Sequence, residues 1–169
     1  MPSKKPRLNS NDWLTAGLAA LERTGPDALA AEPLARELDT TKGSFYWHFK
    51  DVATFRREVA RAWEVLALGA IDATPQDGTH AARLLTLSRP DPAEAAMRSW
   101  ARHDAGIAGI VDTVDSARRN ALTATLAELG LTNPEFAQIV QAAVIGMETL
   151  GDTSPLSTLL AAILALQEA

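Results

Sequence analysis

The chain has 169 residues and no cysteine, which excludes disulfides, thiolate metal sites and a cysteine nucleophile. Its net charge of −5 is uneven: the first 57 residues hold nine basic and seven acidic side chains, or +2, and the remainder carries −7. No apolar run reaches the roughly 18 residues of a membrane span and the amino terminus has no signal-peptide pattern, so the expectation is a cytoplasmic chain of one to two small units.

Residues 1–8 carry Lys4, Lys5 and Arg7 without apolar periodicity and read as a flexible basic arm. Asn9 or Ser10 can cap a first helix with Leu14, Leu18 and Leu21 on one face, ended by Gly25 and Pro26. Residues 33–38 read as a short helix with Leu34 and Leu38 sharing a face, and Asp39 and Thr40 make a turn. Thr41 can cap the next helix by accepting a backbone N–H bond. Phe45 and Phe49, four apart, anchor that helix from one side. Its other side offers Lys42, Ser44, Tyr46, Trp47 and His48, flat amphipathic rings and donors that suit a phosphate backbone beside base edges. Gly43 lowers helix stability by about 1 kcal/mol relative to Ala and in return permits close approach of a large partner. Two short helices joined so tightly form a helix-turn-helix, whose second helix enters a major groove.

The spaced residues Leu34, Ala35 and Leu38, the run Thr41-Lys42-Gly43-Ser44-Phe45-Tyr46-Trp47-His48-Phe49-Lys50 and the long helix after it closely resemble the tetracycline-repressor (TetR) family of bacterial regulators over roughly residues 9–64. The resemblance implies base-edge or nearby contacts for Lys42, Gly43 and Ser44, and phosphate contacts for Tyr46, Trp47 and His48; Thr41, at the start of the run, is a further candidate for nucleic-acid contact. It also implies a dimer formed through the last two helices. The chain departs from the family pattern at Ala31 and Glu32, at Thr40 and at Val52; Lys50 is the candidate to take the phosphate that a basic residue at 52 would hold.

Lys50 and Asp51 open a longer helix in which Phe55, Val59, Ala62, Trp63, Leu66 and Ala70 keep the 3.6-residue period, with Arg56, Arg57 and Arg61 on the other side. Breaks at 74–78 and 88–92 flank a short helix at 81–87. A helix over 93–102 turns Met97 and Trp100 inward, a glycine-containing bend occupies 105–109, and a helix over 111–129 carries Val114, Leu122, Leu126 and Leu129. Cap signals at 132–135 and at Ser154 and Pro155 start two last helices, the second ending near Glu168. Both are apolar nearly all round and need cover on two sides. Two copies packed as a four-helix bundle would supply it, through Phe136, Ile139, Val140, Val144, Met147, Leu156, Leu159, Leu160 and Ile163.

The expected fold is all-α, with about nine helices: a three-helix DNA-binding domain at 1–50 and an effector-binding and dimerisation domain at 51–169. Trp63, Met97, Trp100, His103 and Arg118 are the expected lining of a small-molecule pocket, weighed against plain core packing. His48, His80 and His103 lack metal-site spacing, no phosphate-cradling loop or nucleophile elbow is present, and neither an enzyme nor a cofactor is expected. Asp112, Asp115, Arg118 and Arg119 are read as surface ion pairs along one helix in preference to acid–base chemistry. The function these features support is a homodimeric, ligand-responsive transcriptional repressor on a palindromic double-stranded operator, its two recognition helices about 34 to 36 Å apart. The alternative is a helical dimer that binds small molecules or proteins without binding DNA.

Overall fold

The computed structural model describes residues 8–75, 77–89 and 91–166. Among them are nine α-helices, one 3-10 turn and no strand. The basic residues Lys4, Lys5 and Arg7 and the expected helix end at Glu168 lie outside the described residues.

Helix α1 (Ser10–Thr24) opens on a reciprocal cap. The Asn9 side chain accepts from the N–H groups of Asn11 and Asp12, and the Asp12 carboxylate accepts from the Asn9 N–H at 2.7 Å. Gly25, at φ +89°, ends the helix in a conformation that side chains disfavour. The buried stripe is Trp13, Ala16, Gly17, Ala20 and Leu21, so the expected face of Leu14, Leu18 and Leu21 is rotated. Burying the Trp13 indole turns Leu14 and Leu18 to the margin, where they border a groove against α4. The small residues of the stripe let α4 come close. A Cβ on Gly17 would stand 2.7 Å from Val59 Cγ2 and 2.8 Å from Phe55 Cζ.

Helix α2 (Ala31–Glu37) starts two residues before the expected position, with Pro33 in its first turn, where a missing N–H costs nothing. Helix α3 (Lys42–His48) follows, and then α4 (Val52–Asp72), capped by Asp51 Oδ1 accepting from Thr54 N–H at 2.6 Å. The buried side of α4 is Phe55, Val59, Ala60, Trp63 and Ala67. Leu66 and Ala70, expected inside, face outward, because the large rings of Phe55 and Trp63 set the rotation.

Helices α5 (His80–Leu87) and α6 (Glu94–Ala101) lead to α7 (Ala105–Glu128). The expected glycine bend is the first part of α7. Asp104 Oδ1 accepts from Gly106 and Ile107 N–H, and Ile107 continues the buried stripe of Val111 and Val114, so capping and burial outweigh the glycines. Gly151, at φ +74°, ends α8 (Glu135–Leu150), and α9 (Leu156–Ala165) folds back.

Helix α7 packs against α4, α5, α6 and α8 and passes through both hydrophobic cores. The first core joins α1 to α4 with α6 and α7 as far as Val114; the second joins α5, α7 from Leu122, α8 and α9. The packing therefore divides inside α7, and Phe45 and Phe49 share their core with Phe55 across the expected boundary at residue 50.

The expected dimer residues require a correction. Val140, Val144, Leu156, Leu160 and Ile163 are buried in the second core of the protomer itself, with Phe136, Met147 and Leu159 packed against them. Only Ile139 of the nine is exposed. Helices α5 and α7 supply one of the two covers that these apolar helices need. The uncovered side carries Ile139, Ala142, Leu150, Ala161, Ala162 and Leu166.

Candidate nucleic-acid interface

Helix α2, the turn and α3 form a helix-turn-helix. Asp39 sits at φ +49°, the left-handed conformation that aspartate tolerates better than most residues, and Thr40 N–H donates to Ala35 O at 2.8 Å, closing the connection. Thr41 Oγ1 accepts from Ser44 N–H at 3.3 Å, the cap that the sequence signals.

Phe45 and Phe49 hold α3 from beneath. Phe45 is fully buried, with ring centroids 5.4 Å from Trp13 and 5.1 Å from Phe55, both edge-on, and Phe49 lies 4.8 Å from Phe55. This aromatic knot fixes the rotation of a helix too short to be stable alone. It leaves Trp47 82% exposed and Tyr46 48% exposed, beside exposed Lys42 and Gly43 and half-buried Ser44 and His48. Thr41 and Lys50 are exposed at the two ends of α3. All eight residues singled out for nucleic-acid contact thus lie on or beside one small surface. Leu8, expected to end a flexible arm, borders a cleft of about 310 Å³ with Thr41, Gly43, Ser44, Trp47 and His48, so the chain entering α1 passes the start of α3. Local apolar periodicity carries no signal for that contact.

Such a surface has the character of a duplex-reading face: flat rings with polar tips, a cation and a backbone bared by glycine, all on a rigid support. The family model described as bacterial regulatory proteins, tetR family, matches residues 14–55, the span from α1 to the phenylalanine under α3. The head of this chain is similar to that of the TetR family. Two solved structures share this all-helical fold along nearly the whole length. A transcriptional regulator from Rhodococcus sp. Rha1 aligns with a TM-score of 0.72 at 17% identity, covering 94% of this chain and 95% of its own. Salmonella enterica GusR aligns with a TM-score of 0.65 at 14% identity, covering 98% of each chain. No curated protein matches the sequence.

Behind the TetR-type head, the expected pocket residues do not converge. Trp63 is buried and donates its indole N–H to Asp91 Oδ1 at 2.9 Å, and Met97 is wholly inside the first core. His103 is exposed, and Trp100 lines a separate cleft. Of the five, only Arg118 reaches a cleft of about 450 Å³ between α4, α5 and α7, whose apolar wall is Ala67, Ile71 and Leu87 and whose polar rim includes Arg89 and Asp91. Trp63 and Met97 went to the core because large apolar groups at helical spacing fill space first.

The acidic and basic residues of α7 also pair differently from the expectation. Asp115 accepts from Arg98 of α6 at 2.6 and 2.8 Å and from Gln141 of α8 at 2.9 Å, while Arg118 pairs with Glu94 of α6 at 2.8 Å. Glu94 is 1% exposed and Arg118 is 7% exposed, so these are buried ties between helices and not pairs along one helix surface. Asp112 is exposed. Among the described residues no helix is long and apolar enough to cross a membrane.

Proposed function

We propose that this chain is a DNA-binding transcriptional regulator, a repressor acting as a homodimer on a palindromic operator. Lys42, Gly43 and Ser44 meet base edges, and Thr41, Tyr46, Trp47, His48 and Lys50 meet phosphates and sugars. The observation that carries this reading is the division of α3 into Phe45 and Phe49 beneath and Tyr46 and Trp47 outside. A large exposed indole without a buried purpose calls for a partner. The TetR-type fold and head support the same reading.

In this reading residues 1–50 are the DNA-binding head and 51–169 the effector-binding and dimerisation body. The dimer forms through the uncovered side of α8 and α9, where Ile139 and Leu150 are 55% and 85% exposed beside small residues that permit close helix approach. A small effector enters the body cleft beside Arg118 and favours a dimer with differently spaced heads, because release requires unequal affinity for the two states. Selection of bound sequences from random duplex DNA tests the proposal. Enrichment of a twofold-symmetric site is the expected result, and enrichment of no sequence contradicts it.

A further inference from the structure

A second cleft, about 390 Å³, opens between α4 and the amino-terminal part of α7. One wall is basic: Arg56, Arg57 and Arg61 of α4. The other is apolar: Trp100 at the end of α6, with Ile107 and Ile110 of α7. The volume is within the range of small-molecule sites. None of the three guanidinium groups is in an ion pair with a described residue. Arg56 Nε is bonded to Leu29 O and Arg57 Nη2 to Thr54 Oγ1, while no hydrogen bond to a described residue holds Arg61. Asp104 is the carboxylate in the lining, and its Oδ1 is taken by the N–H groups of Gly106 and Ile107.

Three cations along this stretch of α4 repel one another, offset in part by Asp51 near Arg57, and an anion between them relieves the rest. A bare phosphate would use the basic wall and leave Trp100, Ile107 and Ile110 idle. A molecule with a carboxylate at one end and a flat apolar body at the other uses both walls. Guanidinium groups bind carboxylates in a fork, and an indole face accepts a planar ring. We propose that this cleft is a binding site for a small aromatic carboxylate, its carboxylate held by Arg57 and Arg61 and its ring laid against Trp100. The site is separate from the cleft beside Arg118, and the proposal does not depend on the chain binding DNA.

The test is calorimetric titration of the full chain with 1-naphthoate at fixed ionic strength, with the neutral alcohol 1-naphthalenemethanol as control. Saturable binding of one naphthoate per chain is expected, and the alcohol should bind at least tenfold more weakly. Arg57→Gln and Arg61→Gln should each weaken naphthoate on the order of tenfold, the loss of one charge-assisted bond. Arg89→Gln, on the rim of the other cleft, should leave it unchanged. Unaltered thermal midpoints show that the variants are folded; should either fail to fold, Trp100→Leu replaces it, with the same weakening expected. Absence of saturable binding by wild type, or binding indifferent to both arginines, overturns the proposal. So does an outcome in which the arginine variants lose affinity only for duplex DNA, which would assign the wall to the phosphate backbone.

Discussion

Arg56 Nε, on α4, donates to the main-chain carbonyl of Leu29 at 3.0 Å, joining residues 27 apart in sequence. Leu29 is fully buried and stands directly before Ala30, the N-cap of α2. The long helix is thereby fastened to the segment that starts the helix-turn-helix. An α4 displacement is transmitted to α2 through this bond as well as through the aromatic knot.

Replacing Arg56 by methionine keeps the aliphatic stem and removes the donor. The expected cost is about 1.5 to 3 kcal/mol, because a charged donor is lost and the buried carbonyl is left unpaired. Chemical denaturation measures it, and a loss below about 0.5 kcal/mol would show the fastening to be slack.

Two glycines should respond oppositely to alanine. At Gly17 the new methyl would meet Val59 and Phe55 at under 3 Å, both fully buried, so overpacking of about 1 to 3 kcal/mol outweighs the roughly 1 kcal/mol gained in helix propensity. At Gly43 the nearest atom is Thr41 Oγ1 at 3.6 Å, ordinary contact, so Gly43→Ala should hold or raise stability. In the proposed function that same change weakens duplex binding by filling the space of the approaching backbone. Thermal midpoints and binding isotherms on both variants check the pair. A stabilised Gly17→Ala would contradict the close α1–α4 approach.

The carboxylates near α7 can be ranked by burial. Glu94→Ala strips the buried Arg118 of its partner and should cost about 3 to 5 kcal/mol, whereas Asp112→Ala, on the surface, should stay within about 0.5 kcal/mol. Equal effects by denaturation would return the charges to the surface role that their spacing suggests.

These cases show what was legible in the residues. Capping by Thr41 and by Asn9, one of two candidates, the anchors Phe45 and Phe49 and the outward Tyr46 and Trp47 of α3 follow from short-range chemistry and stand so in the structure, while His48 is half-buried. Long-range pairings do not follow. Nothing near Asp115 indicates that its partners are Arg98 and Gln141, because helix order in space is set by the whole core. The outward placement of Leu66 and the inward placement of Leu160 have the same origin: a helix apolar on several sides does not reveal which side its own protomer covers. Leu160→Asp would consequently unfold the second core before it reported on any dimer.

Glu148 supplies a pH test. Burial, reinforced by the neighbouring Glu94, holds its carboxyl above the usual range in the folded chain. The folded state thus binds this proton more tightly than the unfolded one, a contribution fully present below the ordinary glutamate pKa and lost as pH rises through the folded value. Glu148→Gln should therefore raise stability relative to wild type at pH 7 and much less at pH 4. The same increment at both pH values would contradict the shift.

The central claim is that the exposed face of α3 reads duplex DNA, and it is tested most directly by fluorescence anisotropy of the wild-type chain on its selected site between 50 and 200 mM salt, beside Tyr46→Ala and Trp47→Ala. Six to ten phosphate contacts per dimer predict an affinity drop of about 10³ to 10⁵ across that range, with both variants weaker on specific and random duplexes while keeping the wild-type thermal midpoint. Wild-type binding in both variants, or an affinity unmoved by salt, would contradict it.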